Sequence, residues 1–362
     1  MGLNFRFAVV SDLHIALPST IWDHPSRFHL VEVSISALEL VLEHLQQLHL
    51  DFLLIPGDLT QHGEPENHRW LSHRLAQLPF PVYVIPGNHD VPVLQANHQS
   101  IAWADFPYYY PQQGYQNPRH LYYTCQPVPG VRLIALNSNQ FNQQGQQIGR
   151  VDDQQLQWLE GVLTAATEEL ILVMIHHNVV EHLPNQSNHC LGRRYMLENA
   201  LEFCQLLKSA GVQLVLTGHL HVQDIAEVNG IYDITTGSLV SYPHPYRILQ
   251  ISTDAKERQW LQIESHQITR VPGWPELAST SRQWMADRSF PFMLKLLMEP
   301  PLNLSQAMAE KLAPQLQYFW ADIAAGDGIF DYPDFPSEVR QYFQSFNAQK
   351  FIDNHATILL KH

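Results

Sequence analysis

The sequence predicts an α/β protein, because short apolar runs rich in β-branched and aromatic residues alternate with segments of helical apolar period. Strands are predicted at 5–10, 52–55, 82–85, 131–136, 171–175, 213–216, 231–235, 248–251 and 260–263. Helices are predicted at 28–50 and 152–163, where apolar residues recur at helical spacing. This alternation is typical of sheets that contain parallel strands and are covered by helices.

The character of the chain changes after residue 265. Strand patterns fade there, and amphipathic helical stretches are predicted at 290–298, 304–325 and 336–346. Prolines, including the pair Pro300 and Pro301, separate these stretches. We therefore divide the chain into a main domain at 1–265 and a mainly helical C-terminal extension at 266–362.

Composition limits the partners of the protein. The 362 residues carry a formal net charge of −14 with His neutral, so an extended nucleic-acid surface is not expected. No apolar run reaches the roughly 18 residues of a membrane-spanning helix, and residues 1–10 lack the pattern of a secretory signal. The three cysteines are widely spaced, which favours reduced thiols over a disulfide framework. We expect a cytoplasmic protein that acts on a small molecule and does not bind membranes.

Five polar clusters follow directly on predicted strands. They are Asp12 with His14, Asp58, the run Asn88, His89 and Asp90, the pair His176 and His177, and His219 with His221. Ligands of open α/β sheets bind beyond the carboxyl ends of the strands, where these clusters are predicted to lie. If the segment after the first strand is extended, Asp12 and His14 point to the same side.

Each cluster alone is weak support for a binding site, since a single Asp or His at a strand end more often belongs to an ordinary turn. Together the clusters place Asp, Asn and His side chains in five loops at one edge of a sheet. Buried polar groups without partners are costly, and a pair of cations would give all of these side chains a common partner. The pattern therefore predicts a metal site.

The ordered motifs D-x-H, G-D, G-N-H-D, a late His and G-H-x-H resemble those of the calcineurin-like metallophosphoesterases. All five occur in order between Asp12 and His221. Among subgroups, the pattern is most similar to the class III cyclic nucleotide phosphodiesterases and related bacterial enzymes. The resemblance implies a sandwich of two mixed β-sheets flanked by helices, with residues 1–265 as the catalytic domain.

The resemblance also implies how the clusters divide between two cations. The implied ligands are Asp12, His14 and His221 for one cation, Asn88, His176 and His219 for the other, and Asp58 as the bridge between them. Imidazole and carboxylate ligands suit borderline ions such as iron, manganese or zinc, in divalent or mixed-valence pairs. Such a pair, roughly 3.5 to 4 Å apart, shares a water and presents hydroxide to a phosphate ester.

His89 and Asp90 are the predicted catalytic residues. His89 resembles the family's histidine that is not a ligand and that stabilises developing charge or gives a proton to the leaving group. Two interpretations of Asp90 stay open: it orients the His89 ring, or it caps a helix that begins near Val91. For His177, alternation along the strand predicts a position behind the ligands or in the core.

The expected function is two-metal hydrolysis of a small phosphate ester, with a phosphodiester such as a cyclic nucleotide as the substrate. A phosphomonoesterase of the nucleotidase type is the alternative within enzymes. A nuclease is disfavoured by the acidic charge, and a non-catalytic scaffold is disfavoured because every motif is intact.

The sequence assigns no substrate-binding residue. The family often has Pro after its paired histidines where this chain has Asn178, so substrate contacts at His182, His189 or Arg194 stay open. The aromatic stretch at 103–123 is either a stacking surface or apolar packing, with packing favoured. The C-terminal extension covers the core, roofs the active site or forms a homo-oligomer contact.

Overall fold

The computed structural model describes residues 2–22, 27–189, 191–348 and 352–361. In these segments the strands are β1 (Asn4–Val9), β2 (Phe52–Ile55), β3 (Val82–Val84), β4 (Tyr123–Val128), β5 (Val131–Ala135), β6 (Asn139–Phe141), β7 (Gln147–Gly149), β8 (Leu170–Met174), β9 (Leu214–Thr217), β10 (Asp224–Val228), β11 (Ile231–Thr235), β12 (Pro245–Thr253), β13 (Gln259–Gln267) and β14 (His355–Lys361). The α-helices are α1 (Ser34–Gln47), α2 (Pro65–Leu75), α3 (Phe106–Tyr109), α4 (Asp153–Ala165), α5 (Ala200–Ser209), α6 (Leu277–Met298), α7 (Gln306–Leu312), α8 (Phe319–Ala325) and α9 (Ser337–Gln344). Every strand predicted from the sequence forms, with its ends shifted by a few residues.

The first large sheet has the strand order β14-β13-β12-β1-β2-β3. Strands β1, β2 and β3 are parallel, because α1 and α2 carry the chain back between them. Strands β12, β13 and β14 continue the sheet in antiparallel pairs on the other side of β1. The carboxyl ends of β1, β2 and β3 therefore meet at one edge.

The second large sheet has the order β10-β11-β9-β8-β5-β4. Its four central strands, β11, β9, β8 and β5, are parallel, and antiparallel β10 and β4 form the two edges. A separate hairpin consists of β6 and β7. Both large sheets are mixed, which confirms the predicted fold class.

The core lies in layers around the two sheets. Apolar side chains of both sheets meet between them, among them Phe7 and Phe52 from the first sheet and Leu133 and Leu172 from the second. Helices α1 to α3 cover the outer face of the first sheet, and α4 and α5 cover that of the second. Because the central strands are apolar on both faces, β2 is wholly buried, as its sequence FLLI indicates.

The C-terminal segment packs onto the main domain and joins its first sheet. Helices α6 to α9 enclose an apolar cluster of their own, which includes Leu220 and Val222 from the loop after β9. Strand β14 pairs with β13, and its Ile358 and Leu360 enter the core between the sheets. The boundary placed at residue 265 from the sequence falls inside β13, so the extension is helical for most of its length but ends as a strand of the first sheet.

Among the described residues, no helix combines the length and the apolar character that crossing a membrane requires.

Candidate metal centre

Five loops that follow strands converge at one end of the sandwich. The loops after β1, β2 and β3 come from the first sheet, and those after β8 and β9 come from the second. Backbone hydrogen bonds join them directly: the Asp12 N–H donates to the Gly57 carbonyl at 3.2 Å, and the His14 N–H donates to the Asp58 carbonyl at 2.9 Å. Between the sheets, the His219 N–H after β9 donates to Asp12 Oδ1 after β1 at 3.2 Å, so both sheets contribute to one site.

One group of side chains at this site consists of Asp12, His14, Asp58 and His221. One ligand atom from each lies within 4.8 Å of the others. His221 Nε2 is 3.0 Å from Asp12 Oδ1 and 3.4 Å from His14 Nε2. His14 Nε2 is also 3.7 Å from Asp58 Oδ2. Two imidazole nitrogens that approach each other beside two carboxylates form a donor set that fits a cation.

A second group lies on the other side of Asp58 and includes His176 and His219. His176 Nε2 is 3.5 Å from Asp58 Oδ1 and 3.1 Å from the Asn88 amide oxygen. Asp58 is the one residue that belongs to both groups, and each of its carboxylate oxygens is directed toward a different group. The residues present therefore fit two adjacent cations.

Hydrogen bonds fix the orientation of two imidazoles in the second group. His176 Nδ1 lies 2.8 Å from the Pro56 carbonyl, so Nδ1 carries a proton and Nε2 is the nitrogen that faces Asp58. His219 Nε2 lies 3.3 Å from the Arg194 carbonyl, which leaves the Nδ1 lone pair free. Contacts of this kind with a backbone carbonyl are typical of histidines that bind metals.

The electrostatics of the site favour the neutral form of His14 and His219. Burial lowers the pKa of His14 and His219, and neighbouring imidazoles lower it further. For Asp58, burial opposes ionisation, but the fields of His176 and His89 outweigh it and hold the pKa of the carboxyl well below its usual range. Burial also opposes the charged form of His176, yet Asp58 raises its pKa to about 9. Neutral imidazoles and ionised carboxylates are the forms that bind cations.

The backbone of the site is unusual, and it corrects one inference from the sequence. Asp12 and His14 were expected in an extended segment, but their φ angles are 51° and 42°. Asp58, His219 and His221 also have positive φ, at 51°, 66° and 60°. Such conformations cost about 1 to 3 kcal/mol each and concentrate at functional sites. The side chains converge because of tight left-handed turns and not because of strand alternation.

Two glycines let the loops approach closely. A Cβ on Gly87 would lie 2.2 Å from the backbone nitrogen and the Oδ1 atom of Asp58. Gly57 has a φ of +98°, and a Cβ there would lie 2.5 Å from His176 Nδ1. Side chains at these positions would displace Asp58 and His176, so glycine is required at both.

His89 lies beside the first group without joining it. Its ring stands edge-on to His14, with the centroids 4.7 Å apart. His89 Nδ1 is 2.8 Å from the Gln61 carbonyl, and its backbone N–H donates to Asp58 Oδ1 at 2.8 Å. The proton on Nδ1 is therefore held by the carbonyl, and Nε2 is the nitrogen available for exchange with a bound molecule.

Asp90 differs from both interpretations drawn from the sequence. Its carboxylate accepts hydrogen bonds from the backbone N–H groups of Leu59, Thr60 and Gly87 at 3.0, 2.8 and 2.8 Å, and from the Thr60 hydroxyl at 3.0 Å. The Nδ1 atom of His89 contacts Gln61 instead, and no helix begins near Val91 in the described chain. Burial and the nearby Asp58 carboxylate raise the pKa of Asp90. Asp90 therefore joins the loops after β2 and β3 and acts on the site through their positions.

His177 lies behind the second group, as strand alternation predicted. Its Nδ1 is 2.8 Å from the Ser138 hydroxyl, and its ring packs against His219 with the centroids 4.4 Å apart. Burial and the neighbouring His176 lower its pKa to about 3, so the ring is neutral. His177 supports His219 from the interior.

His29 is a residue at the site that the sequence analysis missed. Its ring is 4.3 Å from that of His14 and 4.8 Å from that of His221, measured between centroids. Together the three rings form a group whose ligand atoms lie within 4.8 Å of one another. His29 Nδ1 is buried and has no hydrogen-bond partner among the described residues. No motif surrounds this histidine in the sequence, and only the high total of 21 histidines gave a hint of it.

A cavity of about 260 Å³ opens onto these groups. Its floor includes Asp58, Asn88, His89 and the two histidines after β9, and its other walls come from three separate parts of the chain. Arg194 and Tyr195 contribute one wall, Phe28 and His29 another, and residues of α6 and α8 a third. The C-terminal extension therefore roofs the site, which was one of three possibilities left open by the sequence.

Of the three residues considered for substrate contact, Arg194 lines the cavity, whereas His182 and His189 do not. His182 is held between Asp224 and Asp233, with ring nitrogens 2.6 and 3.3 Å from their carboxylates. Tyr110 and Tyr115 from the aromatic stretch belong to the core on the outer face of the first sheet. Of the loop after β8, Arg194 and Tyr195 line the cavity.

Known proteins resemble this chain in sequence and in fold. The sequence model of the calcineurin-like phosphoesterases matches residues 5–223. A protein from Arcobacter nitrofigilis named as a probable glycerophosphodiester phosphodiesterase is 27% identical over 223 residues, 60% of this chain and 72% of the relative. A probable cyclic nucleotide phosphodiesterase from Moraxella catarrhalis is 27% identical over 271 residues, 74% of this chain and 85% of the relative. The 3′,5′-cyclic adenosine monophosphate phosphodiesterase of Haemophilus influenzae is 26% identical over 242 residues, 66% of this chain and 74% of the relative.

Among solved structures, a dimetal phosphatase from Danio rerio is similar in fold, with a TM-score of 0.52 at 17% identity. The similarity covers 73% of this chain and 96% of that chain.

Proposed function

Because the chain belongs to the calcineurin-like phosphoesterase family, we propose that it is a phosphodiesterase that hydrolyses a small diester, such as a cyclic nucleotide, at a two-cation centre. The observation that carries this proposal is the position of Asp58, whose two carboxylate oxygens serve two separate groups of ligands. A site for a single cation would need only one of the two groups of ligands.

The proposed ligands follow the two groups. Asp12, His14 and His221 would hold the first cation, Asn88, His176 and His219 would hold the second, and Asp58 would contribute to both. These nitrogen and oxygen donors suit iron, manganese or zinc. When bound, such a pair would lower the pKa of a coordinated water and neutralise charge on the phosphoryl group.

His29 adds a further imidazole on the side of the first cation. It lies against His14 and His221, and its Nδ1 has no protein partner in the described chain. A buried imidazole nitrogen without a hydrogen bond is costly unless something else satisfies it. We include His29 among the ligands of the first cation.

His89 is the proposed proton donor to the leaving oxygen. The Gln61 carbonyl holds the Nδ1 proton at 2.8 Å, so the proton on Nε2 of the cationic ring is the one that is transferred. Its backbone N–H also holds Asp58 Oδ1, which couples the position of the donor to that of the bridging carboxylate. Asp90 is a positioning residue, because it holds the loops that carry Asp58 and Asn88.

Three relatives named as phosphodiesterases support a diester over a monoester as the substrate. The size of the cavity, about 260 Å³, supports a small substrate, since ligand pockets are typically about 300 to 1,000 Å³. The net charge of −14 is consistent with a small substrate and not with an extended nucleic acid.

The proposal is tested by the paired rates of hydrolysis of bis(p-nitrophenyl) phosphate and p-nitrophenyl phosphate. Manganese-loaded protein is compared with metal-stripped protein as the blank. We expect metal-dependent hydrolysis with a preference for the diester. A preference for the monoester would replace the phosphodiesterase by a phosphomonoesterase, and no hydrolysis of either ester would leave a non-catalytic scaffold.

A further inference from the structure

We infer that the aromatic wall contributed by the C-terminal extension binds a flat aromatic ring of the substrate, so that the accepted diester carries a nucleobase and not a glycerol group. This inference rests on the proposed function and names the substrate class of the same site. The aromatic wall consists of Phe28 from the loop before α1, Phe292 from α6 and Trp320 from α8.

The three rings of the aromatic wall contact one another in sequence. The centroids of Phe292 and Trp320 are 5.4 Å apart, and those of Phe28 and Phe292 are 6.2 Å apart. Met285 lies beside them, is buried and also lines the cavity. The rings therefore form a continuous apolar surface, which is the kind of surface on which bases stack.

The helices that carry the aromatic wall are tied together outside the cavity. Arg282 of α6 forms an ion pair with Asp322 of α8 at 2.7 Å, and its guanidinium lies 4.2 Å from the ring centroid of Tyr318. Leu296 and Leu297 of α6 also pack with Phe319 of α8 in one buried apolar cluster, which fixes the two helices relative to each other. Phe292 and Trp320 are consequently held in place before a ligand arrives, which lowers the entropic cost of binding.

The rings of the aromatic wall differ from those of the helical core. Phe319 and Phe343, in the same group of helices, are fully buried and contact only protein. Phe292 and Trp320 are half-buried and line the cavity above the proposed cations. Together with Phe28 and Met285 they form an apolar patch on the cavity, and contiguous exposed apolar patches are typical of ligand-binding grooves.

The cavity has opposite chemistry on its two sides. Imidazole and carboxylate groups lie on the floor, and Arg194 adds a positive charge over the Tyr195 ring at 4.7 Å. The aromatic wall faces the same space from the extension. A molecule that fits both sides has a phosphate next to a flat apolar ring, as a nucleotide does. A glycerophosphodiester has hydroxyl groups in place of the ring and would leave the aromatic wall without a partner.

The test compares inhibition by two phosphates in the bis(p-nitrophenyl) phosphate assay with metal-loaded protein. One inhibitor, adenosine 5′-monophosphate, carries a base, and the other, glycerol 3-phosphate, does not. We expect the wild-type protein to bind the adenosine compound more tightly. Phe292→Ala should raise the Ki of adenosine 5′-monophosphate roughly tenfold while changing the Ki of glycerol 3-phosphate less than about twofold, because the variant loses a ring on which the base stacks.

Phe290→Ala is the matched control, since Phe290 lies on the same helix, is 42% exposed and does not line the cavity. It should leave both Ki values unchanged. Trp320→Phe should keep most of the preference for the adenosine compound, and Trp320→Ala should lose it. These variants test the same wall at a second position if Phe292→Ala does not fold. Equal loss for both inhibitors, or an unchanged ratio in Phe292→Ala and Trp320→Ala, would overturn the inference. Absence of diester hydrolysis in the wild-type protein would instead overturn the proposed function.

Discussion

Asp58 has the most demanding position of any residue at the site. Its carboxylate contacts His14, His176 and the His89 backbone, and its backbone has a φ of 51°. The Asp90 carboxylate accepts hydrogen bonds from the backbone N–H groups of Leu59 and Thr60, the two residues that follow Asp58. A strained residue persists only where its surroundings fix it, and here the surroundings fix the one carboxylate shared by both groups of ligands.

His29 gives a prediction about a single residue. Replacing His29 by alanine removes an imidazole from the group that it forms with His14 and His221. We expect the affinity for one of two manganese ions to fall by at least roughly tenfold, the smaller loss that is typical when a residue behind a ligand is removed, while the other ion is held as before. Calorimetric titration of metal-stripped protein with manganese measures both affinities.

His62→Ala is the control for this experiment. His62 also lies near His89, with centroids 6.4 Å apart, but it belongs to none of the candidate metal groups among the described residues. It should leave both affinities unchanged. If His29→Ala and His62→Ala give the same titration curve as the wild-type protein, His29 is not a ligand.

The sequence predicted which residue types meet at the site better than it predicted how they meet. Asp and His after five strands pointed to one edge of the sheets, because chain order and strand ends are visible in the pattern. The partners of Asp90 were not predictable, since they are backbone N–H groups brought together by tertiary structure. His29 was missed for the same reason, because only the packing of the loop before α1 places it beside His14.

The loop between β8 and α5 is anchored by a buried ionic group at His182. The ring lies between Asp224 of β10 and Asp233 of β11. The Asp233 carboxylate also accepts hydrogen bonds from the backbone N–H groups of Val179 and Val180 at 2.7 and 3.1 Å. Burial opposes the charge on His182, but the two carboxylates outweigh it and raise its pKa to about 10. The imidazolium therefore links the loop to the edge of the second sheet.

The His182 anchor predicts a specific dependence of stability on pH. Because the pKa of the folded state lies above the ordinary value of 6.5, the contribution to the free energy of unfolding is complete below pH 6.5 and is lost as the pH rises toward 10. His182→Gln should be less stable than wild type by roughly 3 to 5 kcal/mol near neutral pH, since it leaves buried carboxylates without a cation. Urea unfolding at pH 6, 8 and 10 measures the difference.

The two stability curves should approach each other at pH 10, because the wild-type imidazole is then losing its proton. The difference between the curves removes the contribution of every other group that titrates in this range. Curves that stay parallel from pH 6 to pH 10 would show that His182 is not charged in the folded protein.

Elements with apolar residues on both faces were the easiest to predict. Strands β1, β2, β5, β8 and β9 form at the expected places because both of their faces are covered. Helix α2 was not predicted, since its sequence PENHRWLSHRL carries few apolar residues. Leu71 and Leu75 are its buried apolar residues, and Trp70 packs partly buried against the same apolar cluster on the outer face of the first sheet. Strand β14 was also missed, because it is separated from its partner β13 by all of the C-terminal helices.

The whole molecule depends on contacts that cross from the main domain to the C-terminal segment. Arg247 of β12 is fully buried and donates hydrogen bonds to the carbonyls of Thr235 in the second sheet and Asp353 before β14. Helices α6 to α9 pack on Leu220 and Val222, which flank His221. The extension is thus part of the structure around the candidate metal centre as well as its roof. The change in sequence pattern after residue 265 did not reveal this role.

The metal content of the purified protein tests the central claim most directly. After loading with manganese and removal of excess metal, elemental analysis of the wild-type chain should give two cations per molecule. Asp58→Asn should hold fewer than two, because the shared carboxylate is lost, while its thermal unfolding stays close to that of the wild-type protein measured without metal. A wild-type chain that holds less than one cation, or an Asp58→Asn variant that keeps both cations, would contradict the two-cation centre.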